Sequence, residues 1–153
     1  MTTIGDIRRS VALFIIFLGL SIVVHETLHL ITARFLGYEA NVFYGIQFPN
    51  IYGVVQVNPP PPSATHTIII SSIGGIGTGI MFLILWCTIH DTIVMALMSF
   101  FTVQQLAYGI LEPLYSLGLV DLSLLSVFPM MAGLVALLIY GVYMSRRSSA
   151  TPS

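Results

Sequence analysis

Lysine is absent from this chain of 153 residues, and charged residues of all kinds make up only 7% of it. Soluble domains carry about 25% charged residues, so the composition excludes an ordinary water-soluble domain. The net charge of −1 and the lack of a basic tract remove any electrostatic case for nucleic acid as a partner. Cysteine occurs once, as Cys87 within an apolar run, which excludes a disulfide framework.

Long apolar runs are abundant, and hydrophobic residues make up 56% of the chain. A helix of about 20 apolar residues crosses the hydrocarbon core of a bilayer. Four segments reach that length, covering about residues 11–35, 67–89, 92–115 and 122–144. We therefore predict one integral membrane domain over residues 1–153, mainly α-helical, with four transmembrane helices and the lipid bilayer as a partner.

The arginines predict how such a domain is oriented. Arg8 and Arg9 precede the first span, Arg146 and Arg147 follow the fourth, and Arg34 lies at the opposite end of the first span. Basic residues are enriched on the cytoplasmic side of membrane proteins. Four crossings leave both termini on one side, so we predict a multi-pass protein of the cell membrane with cytoplasmic N and C termini.

Between the first two spans, apolar residues alternate with others in a period of two on both sides of Pro49-Asn50. This pattern predicts a β-hairpin over about residues 41–57, with its turn at Pro49-Asn50. The residues expected on its apolar face are Val42, Tyr44, Ile46, Phe48, Ile51, Gly53, Val55 and Val57. Unpaired backbone groups cannot face lipid. The hairpin is therefore expected at the membrane interface or against other parts of the protein.

A His-Glu-x-x-His motif lies in the later part of the first span, at His25, Glu26 and His29. On a helix, side chains four residues apart lie on one face, so both imidazoles can reach one Zn²⁺ while the glutamate acts on a water molecule. An apolar run from residue 11 to residue 24 leads directly into the motif. Chemistry that activates water inside an apolar span indicates hydrolysis of peptide bonds within the bilayer.

A catalytic zinc site needs a third protein ligand and an open position for water. Ionisable residues inside an apolar span are functional candidates. Besides Glu26 the clearest is Glu112 in the third span, while Asp121, a second candidate ligand, stands near a span end. Pro113 disfavours helical geometry at the preceding residue, so we expect the helix to bend or end at Glu112.

Three motifs together resemble the site-2 protease family of intramembrane zinc metalloproteases. The first is His25 to His29 followed by the small residues Ala33 and Gly37. The second is the small-residue run over residues 71–79, in which Gly75 and Gly79 form a pair that permits close helix contact. The third is the spacing of eight between Gln104 and Glu112, which resembles the family's Asn and ligand Asp with one extra methylene each. Pro113 stands where the family has glycine.

The resemblance implies an intramembrane zinc-dependent endopeptidase that cleaves transmembrane segments of membrane-anchored proteins. It implies one Zn²⁺ per chain held by His25, His29 and Glu112, with Glu26 as the catalytic acid–base. Gln104, or less readily Gln105, would bind the substrate or the developing oxyanion. The hairpin would pair with an extended substrate. The candidate residues for that pairing are Val42, Phe43, Tyr44, Gly45, Ile46, Val54, Val55 and Gln56.

Two other functions fit parts of the pattern. A non-proteolytic metal-binding regulator or scaffold could retain the protease fold. The altered third motif would then be the sign that proteolytic activity has been lost. A metal transporter would also use intramembrane histidine and glutamate. It would require a polar path across the bilayer, yet polar residues beyond the cluster are sparse.

Overall fold

The computed structural model describes residues 4–47 and 50–149, and within them the chain forms four long helices and one two-stranded hairpin. The elements in chain order are α1 (Ile4–Phe35), β1 (Glu39–Gln47), β2 (Asn50–Asn58), α2 (Ala64–Thr88), α3 (Thr92–Ser116) and α4 (Leu122–Ser149). The predicted helices and hairpin are therefore confirmed. Each of the four helices is long and apolar enough to cross a membrane, which is consistent with a multi-pass membrane protein.

The outer helices extend beyond the predicted spans. α1 begins at Ile4 and has 32 residues, and α4 continues to Ser149 with 28 residues. At about 1.5 Å per residue, α1 is about 48 Å long, which exceeds a hydrocarbon core of about 30 Å. The additional turns carry the arginine pairs at the two ends of the chain. Hydrophobicity defines only the apolar part of a helix, and the polar turns continue the same backbone hydrogen bonding.

The hairpin keeps the predicted apolar face, but its register is shifted by two residues from the predicted one. A turn at Pro49-Asn50 would pair Val42 with Val57 and Ile46 with Gly53. In the structure Val42 pairs with Val55 and Ile46 with Ile51. The turn assigned to Pro49-Asn50 needs a correction, because Asn50 belongs to β2 and pairs with Gln47. Phe48 and Pro49 lie outside the described residues. Side-chain alternation determines which residues share a face, and a shift of two residues preserves that face, so the pattern alone does not fix the register or the loop.

Of the two alternatives predicted at Glu112, a bend or an end of the helix, the end is wrong. The helix continues through Pro113 to Ser116. A proline removes only one backbone hydrogen bond, here the one that would reach the carbonyl of Gly109, and the remaining turn closes normally. The C-terminus of α3 lies just before Gly118, which has a φ of +71°, a conformation that favours glycine. The N–H of Leu117 donates to the carbonyl of Pro113 in this last turn.

The backbones of α2 and α3 approach each other closely at Gly75. A Cβ at Gly75 would lie 2.2 Å from the backbone nitrogen of Gly109 and 2.5 Å from the carbonyl oxygen of Gln105. Both neighbours are backbone atoms, so neither can move aside without the whole helix. Small residues at this crossing therefore hold α3 at a fixed distance from α2. This is the tight contact that the glycine pair predicts, with Gly109 as its unpredicted counterpart.

We expect Gly75→Ala to destabilise the protein by about 1–3 kcal/mol, because the new methyl group forces the two backbones apart. The free energy of unfolding in mixed detergent micelles measures this. Gly19→Ala is the matched control, since nothing lies within 4 Å of a Cβ there. That substitution should be neutral or stabilising by about 0.5–1 kcal/mol. Equal stability of the Gly75→Ala variant and the parent would contradict the close packing of α2 and α3.

At the other end of the bundle, the start of α1 lies beside the connection between α2 and α3. Arg9 Nη2 contacts Asp91 Oδ2 at 2.9 Å, and Asp91 caps α3 by accepting from the backbone N–H groups of Ile93 and Val94. The pKa of the Asp91 carboxyl lies below its usual range, mainly because the carboxylate accepts a hydrogen bond from the Val94 backbone N–H and also because it contacts Arg9. Asp91 is therefore ionised throughout the ordinary pH range.

We expect the cap to hold unchanged from neutral pH to about pH 5 and to weaken only in stronger acid. A carboxyl whose pKa is lower in the folded state contributes stability above its ordinary pKa, and that stability is lost as the pH falls through the lowered value. Amide hydrogen exchange at Ile93 and Val94, corrected for intrinsic rates, reports the cap. Asp91→Ala should remove the protection at neutral pH, and Asp121→Ala should leave it intact. Protection that survives Asp91→Ala would refute the cap.

Candidate metal centre

His25 and His29 lie one helical turn apart in α1, and their rings point together toward α3. The ring centroids are 4.6 Å apart. Across from them, Glu112 places one carboxylate oxygen 3.1 Å from His25 Nε2 and the other 3.2 Å from His29 Nε2. Glu112 lies more than 80 residues after the two histidines in sequence, yet the three side chains converge on one point between α1 and α3. One ligand atom of each lies within 4.8 Å of the others, so the group could hold a metal ion.

Each histidine is held through its other ring nitrogen. His29 Nδ1 contacts the backbone carbonyl of Ile70 in α2, and His25 Nδ1 lies 2.8 Å from Gln105 Oε1 in α3. A carbonyl oxygen only accepts, so both contacts require the proton on Nδ1. Metal-binding histidines are commonly fixed in this way, with the Nε2 lone pair left free for the metal.

The donor set fits a divalent cation. With Nδ1 protonated, a neutral imidazole would direct its Nε2 lone pair at the Glu112 carboxylate, and that repulsion is relieved only by a proton or a cation between them. His29 Nε2 is buried, and apart from its contact with Glu112 it has no hydrogen-bond partner in the described part of the chain. Such an atom is costly to bury without a partner, and a cation shared by all three ligands supplies one. Two imidazoles and one carboxylate form a ligand set that is known for catalytic zinc.

The backbone of α2 leaves room at this point. A Cβ at Gly74 would lie 2.3 Å from His29 Nε2, so any larger residue would occupy the space beside the ligand atom. The same helix supplies the Ile70 carbonyl that orients the ring. One turn of α2 therefore both fixes His29 and keeps its metal-facing side open.

Glu26 is buried, with only 9% of its surface exposed, and it lies against the hairpin rather than among the three ligands. A Cβ at Gly53 in β2 would lie 2.3 Å from Glu26 Cγ and 2.8 Å from Cδ. The absence of a side chain at Gly53 thus lets β2 lie directly over the carboxylate. Glu26, His29 and Glu112 line a shared cleft of about 350 Å³, whose other walls include Gly53 and Leu125.

The other predicted residues are separated by the fold. Gln105 contacts His25, whereas Gln104 is buried with an Oε1 that has no hydrogen-bond partner among residues 4–47 and 50–149. Asp121 caps α4 by accepting from Leu124 N–H and Ser123 Oγ, so it is not a member of the metal-binding group. The strand residues Val54 and Val55 line the cleft.

Sequence reasoning missed three contributors to the site. The small-residue run contains Gly74 and the strand alternation contains Gly53, but neither pattern identifies His29 or Glu26 as the neighbouring side chain. The Ile70 carbonyl is a backbone group, for which side-chain patterns carry no signal. The spacing of glycines on a helix indicates a close contact, and only the packed structure identifies the group on the other side.

No protein family, curated protein or solved structure matches the chain. The resemblance to the site-2 protease family therefore rests on the motifs of this chain.

Proposed function

We propose that this protein is an intramembrane zinc-dependent endopeptidase that hydrolyses peptide bonds in transmembrane segments of membrane-anchored substrates. The observation that carries the proposal is the arrangement around the cleft. His25, His29 and Glu112 supply three ligand atoms to one point, and the Glu26 carboxylate shares the same cleft. This combines a three-ligand metal group with a separate acid–base, which is the division of roles that metal-assisted hydrolysis requires.

His25 Nε2, His29 Nε2 and the Glu112 carboxylate would hold the zinc. Zn²⁺ bound there would supply a Lewis acid that polarises the scissile carbonyl and makes water acidic enough to deprotonate near neutral pH. Glu26 accepts one proton from the attacking water and then delivers it to the amide nitrogen. A carbon–oxygen bond forms and the carbon–nitrogen bond breaks. The products are a carboxylic acid and an amine, and transfer of the acid's proton to the amine gives a carboxylate and an ammonium group.

The hairpin strand β2 would hold the substrate in an extended form. A transmembrane helix protects its own amides by internal hydrogen bonds, so it must unwind before it is cut. Gly53, Val54 and Val55 of β2 line the cleft, which favours β2 over β1 for this pairing. In a two-stranded sheet each strand has one unpaired edge, and strand addition at such an edge binds extended peptides.

The register also favours particular residues of β2. Gln47 and Asn50 form the last pair before the loop, with two residues between them, which makes them a hydrogen-bonded pair. Alternation along the ladder then makes Tyr44 and Gly53, and Val42 and Val55, the non-hydrogen-bonded pairs. The backbone groups of Gly53 and Val55 consequently point away from β1, where a substrate strand can reach them beside Glu26.

Cleavage in proteoliposomes tests the proposed function. The purified protein is reconstituted with a panel of single-span membrane proteins that carry helix-destabilising residues within the span, and the products are identified by mass spectrometry. We expect cuts inside the span that disappear after metal chelation and return when zinc is added back. Zinc binding without cleavage of any panel member would favour the competing function, a metal-binding regulator. An absence of zinc binding would reject both functions.

The proposed protease would have cytoplasmic termini, because four of the five arginines lie at that end of the bundle. The orientation is measured by fusing a fluorescent or enzymatic reporter, one that is active only in the cytoplasm, to each terminus in turn. Both C-terminal and N-terminal fusions should be active. The metal centre, located in the half of α1 nearer the hairpin, would then lie toward the outer face. Inactive fusions at both termini would reverse the orientation.

A further inference from the structure

The side chain of Gln105 is the contact that orients His25. Gln105 Oε1 lies 2.8 Å from His25 Nδ1, and the contact joins α3 to α1 across the interior of the bundle. Gln105 is 5% exposed and the His25 side chain is 12% exposed, so water competes little for either group. The two ligand histidines are therefore supported differently. His29 is supported by the Ile70 carbonyl, which no substitution removes, and His25 by a side chain that mutation can change.

The adjacent Gln104 shows that this placement is specific. Both glutamines are 5% exposed, yet only Gln105 Oε1 reaches a histidine, and Gln104 Oε1 has no partner in the described part of the chain. Adjacent residues on a helix point about 100° apart, so only one of the two can face α1. Gln105 also lies seven residues before Glu112, which puts it on the face of α3 that carries the third ligand.

We propose that Gln105 is a positioning residue of the metal centre: its amide oxygen holds the His25 ring with the proton on Nδ1 and Nε2 directed toward Glu112. It acts through His25 and does not bind the substrate. This inference rests on the proposed metal centre. Without the acceptor, the ring can rotate or carry its proton on Nε2, and each change withdraws one ligand from the metal. Outer contacts of this kind contribute about 10- to 100-fold to metal affinity.

Zinc affinity, measured by competition with a chromophoric chelator in detergent, tests the proposal. We expect Gln105→Met, which keeps the side-chain length without a strong acceptor, to weaken zinc binding by about 10- to 100-fold. Gln105→Glu retains an acceptor at the same distance and should restore the affinity. Gln104→Met, the matched control at a residue of equal burial, should change the affinity by less than about threefold, because Gln104 Oε1 has no hydrogen-bond partner in the described part of the chain.

A second measurement separates positioning from general stability. Imidazole ¹⁵N NMR of the metal-free protein reports which ring nitrogen carries the proton. His25 should be protonated at Nδ1 in the parent protein and a mixture of tautomers in Gln105→Met, whereas His29 should be unchanged. A residue that only supports helix packing would lower thermal stability without shifting the tautomer. If Gln105→Met fails to fold, Gln105→Asn, which withdraws the acceptor by one methylene, replaces it.

The outcomes distinguish this inference from the proposed function. Parent-like zinc affinity in Gln105→Met would overturn the positioning role and leave the metal centre in place. Two other results would also overturn the positioning role: zinc binding weakened equally by Gln104→Met, or zinc binding not restored by Gln105→Glu. Either result would show that the hydrogen-bond acceptor of Gln105 does not cause the change in zinc affinity. Failure of the parent protein to bind zinc would reject the metal centre and this inference together.

Discussion

Glu26→Gln is expected to lower the rate of peptide hydrolysis by about 10²- to 10⁴-fold while zinc binding is retained. Glutamine has nearly the same shape, so its contact with Gly53 of β2 is kept and the hairpin stays in place. The amide has no basic oxygen that can accept a proton from water near neutral pH. The three candidate ligands are untouched, because Glu26 is not among them. The loss would therefore be confined to proton transfer.

The rate of hydrolysis is measured as the initial rate on a test substrate that the parent protein cleaves. Zinc binding is measured on the same preparations as zinc per chain by elemental analysis. Glu39→Gln is the matched control, since Glu39 is an exposed carboxylate at the same end of α1, outside the cleft lining found for the described residues. It should leave both quantities unchanged. Retained hydrolysis in Glu26→Gln would remove Glu26 from the mechanism. Loss of zinc in that variant would instead make it a ligand.

His29→Ala and Glu112→Ala are each expected to reduce bound zinc from about one per chain to near zero, because two remaining protein ligands do not hold zinc tightly. The site needs both helices: α1 provides the imidazoles and α3 the carboxylate. Zinc should also raise the midpoint of thermal unfolding in the parent protein, since a ligand that binds only the folded state stabilises it. That shift should vanish in both variants.

Elemental analysis after purification without chelators, followed by resupply of zinc, measures the stoichiometry. Asp121→Ala is the control for Glu112→Ala, because Asp121 is the other candidate carboxylate and the structure places it in the cap of α4. It should retain about one zinc per chain. If zinc persists without Glu112, the third ligand lies elsewhere. If Asp121→Ala loses zinc and Glu112→Ala retains it, the convergence of α1 and α3 is not the metal centre.

The elements of the fold were predictable because each depends on local periodicity. Runs of apolar residues defined the four helices to within a few residues, except where polar turns prolong α1 and α4. Alternation of period two predicted the hairpin and the residues that share a face, but not the pairing of Val42 with Val55. The other errors occurred at ends. Pro113 did not end α3, and Asn50 belongs to a strand, because caps and loops depend on hydrogen bonds that hydrophobic patterns do not encode.

Helical periodicity also carried information about the two glutamines that the motif spacing obscured. A residue seven positions from Glu112 lies about 20° from it around the helix, and one eight positions away lies about 80° from it. Gln105 is therefore on the face of Glu112 and Gln104 is not. The resemblance to the family's spacing favoured Gln104 for the site. The structure brings Gln105 to His25, and the substrate-binding role of Gln104 stays a prediction.

By itself, the sequence determined the composition of the candidate metal centre: two histidines one turn apart, an adjacent glutamate, and a carboxylate in another apolar span. These are chemical and local properties, and they can be read along the chain. Tertiary structure alone decided which groups meet. The approach of α2 through Gly74, the Ile70 carbonyl at His29 and the position of Gly53 over Glu26 depend on how helices and hairpin pack. Contacts between distant segments are set by the whole set of packed surfaces, and no local pattern specifies them.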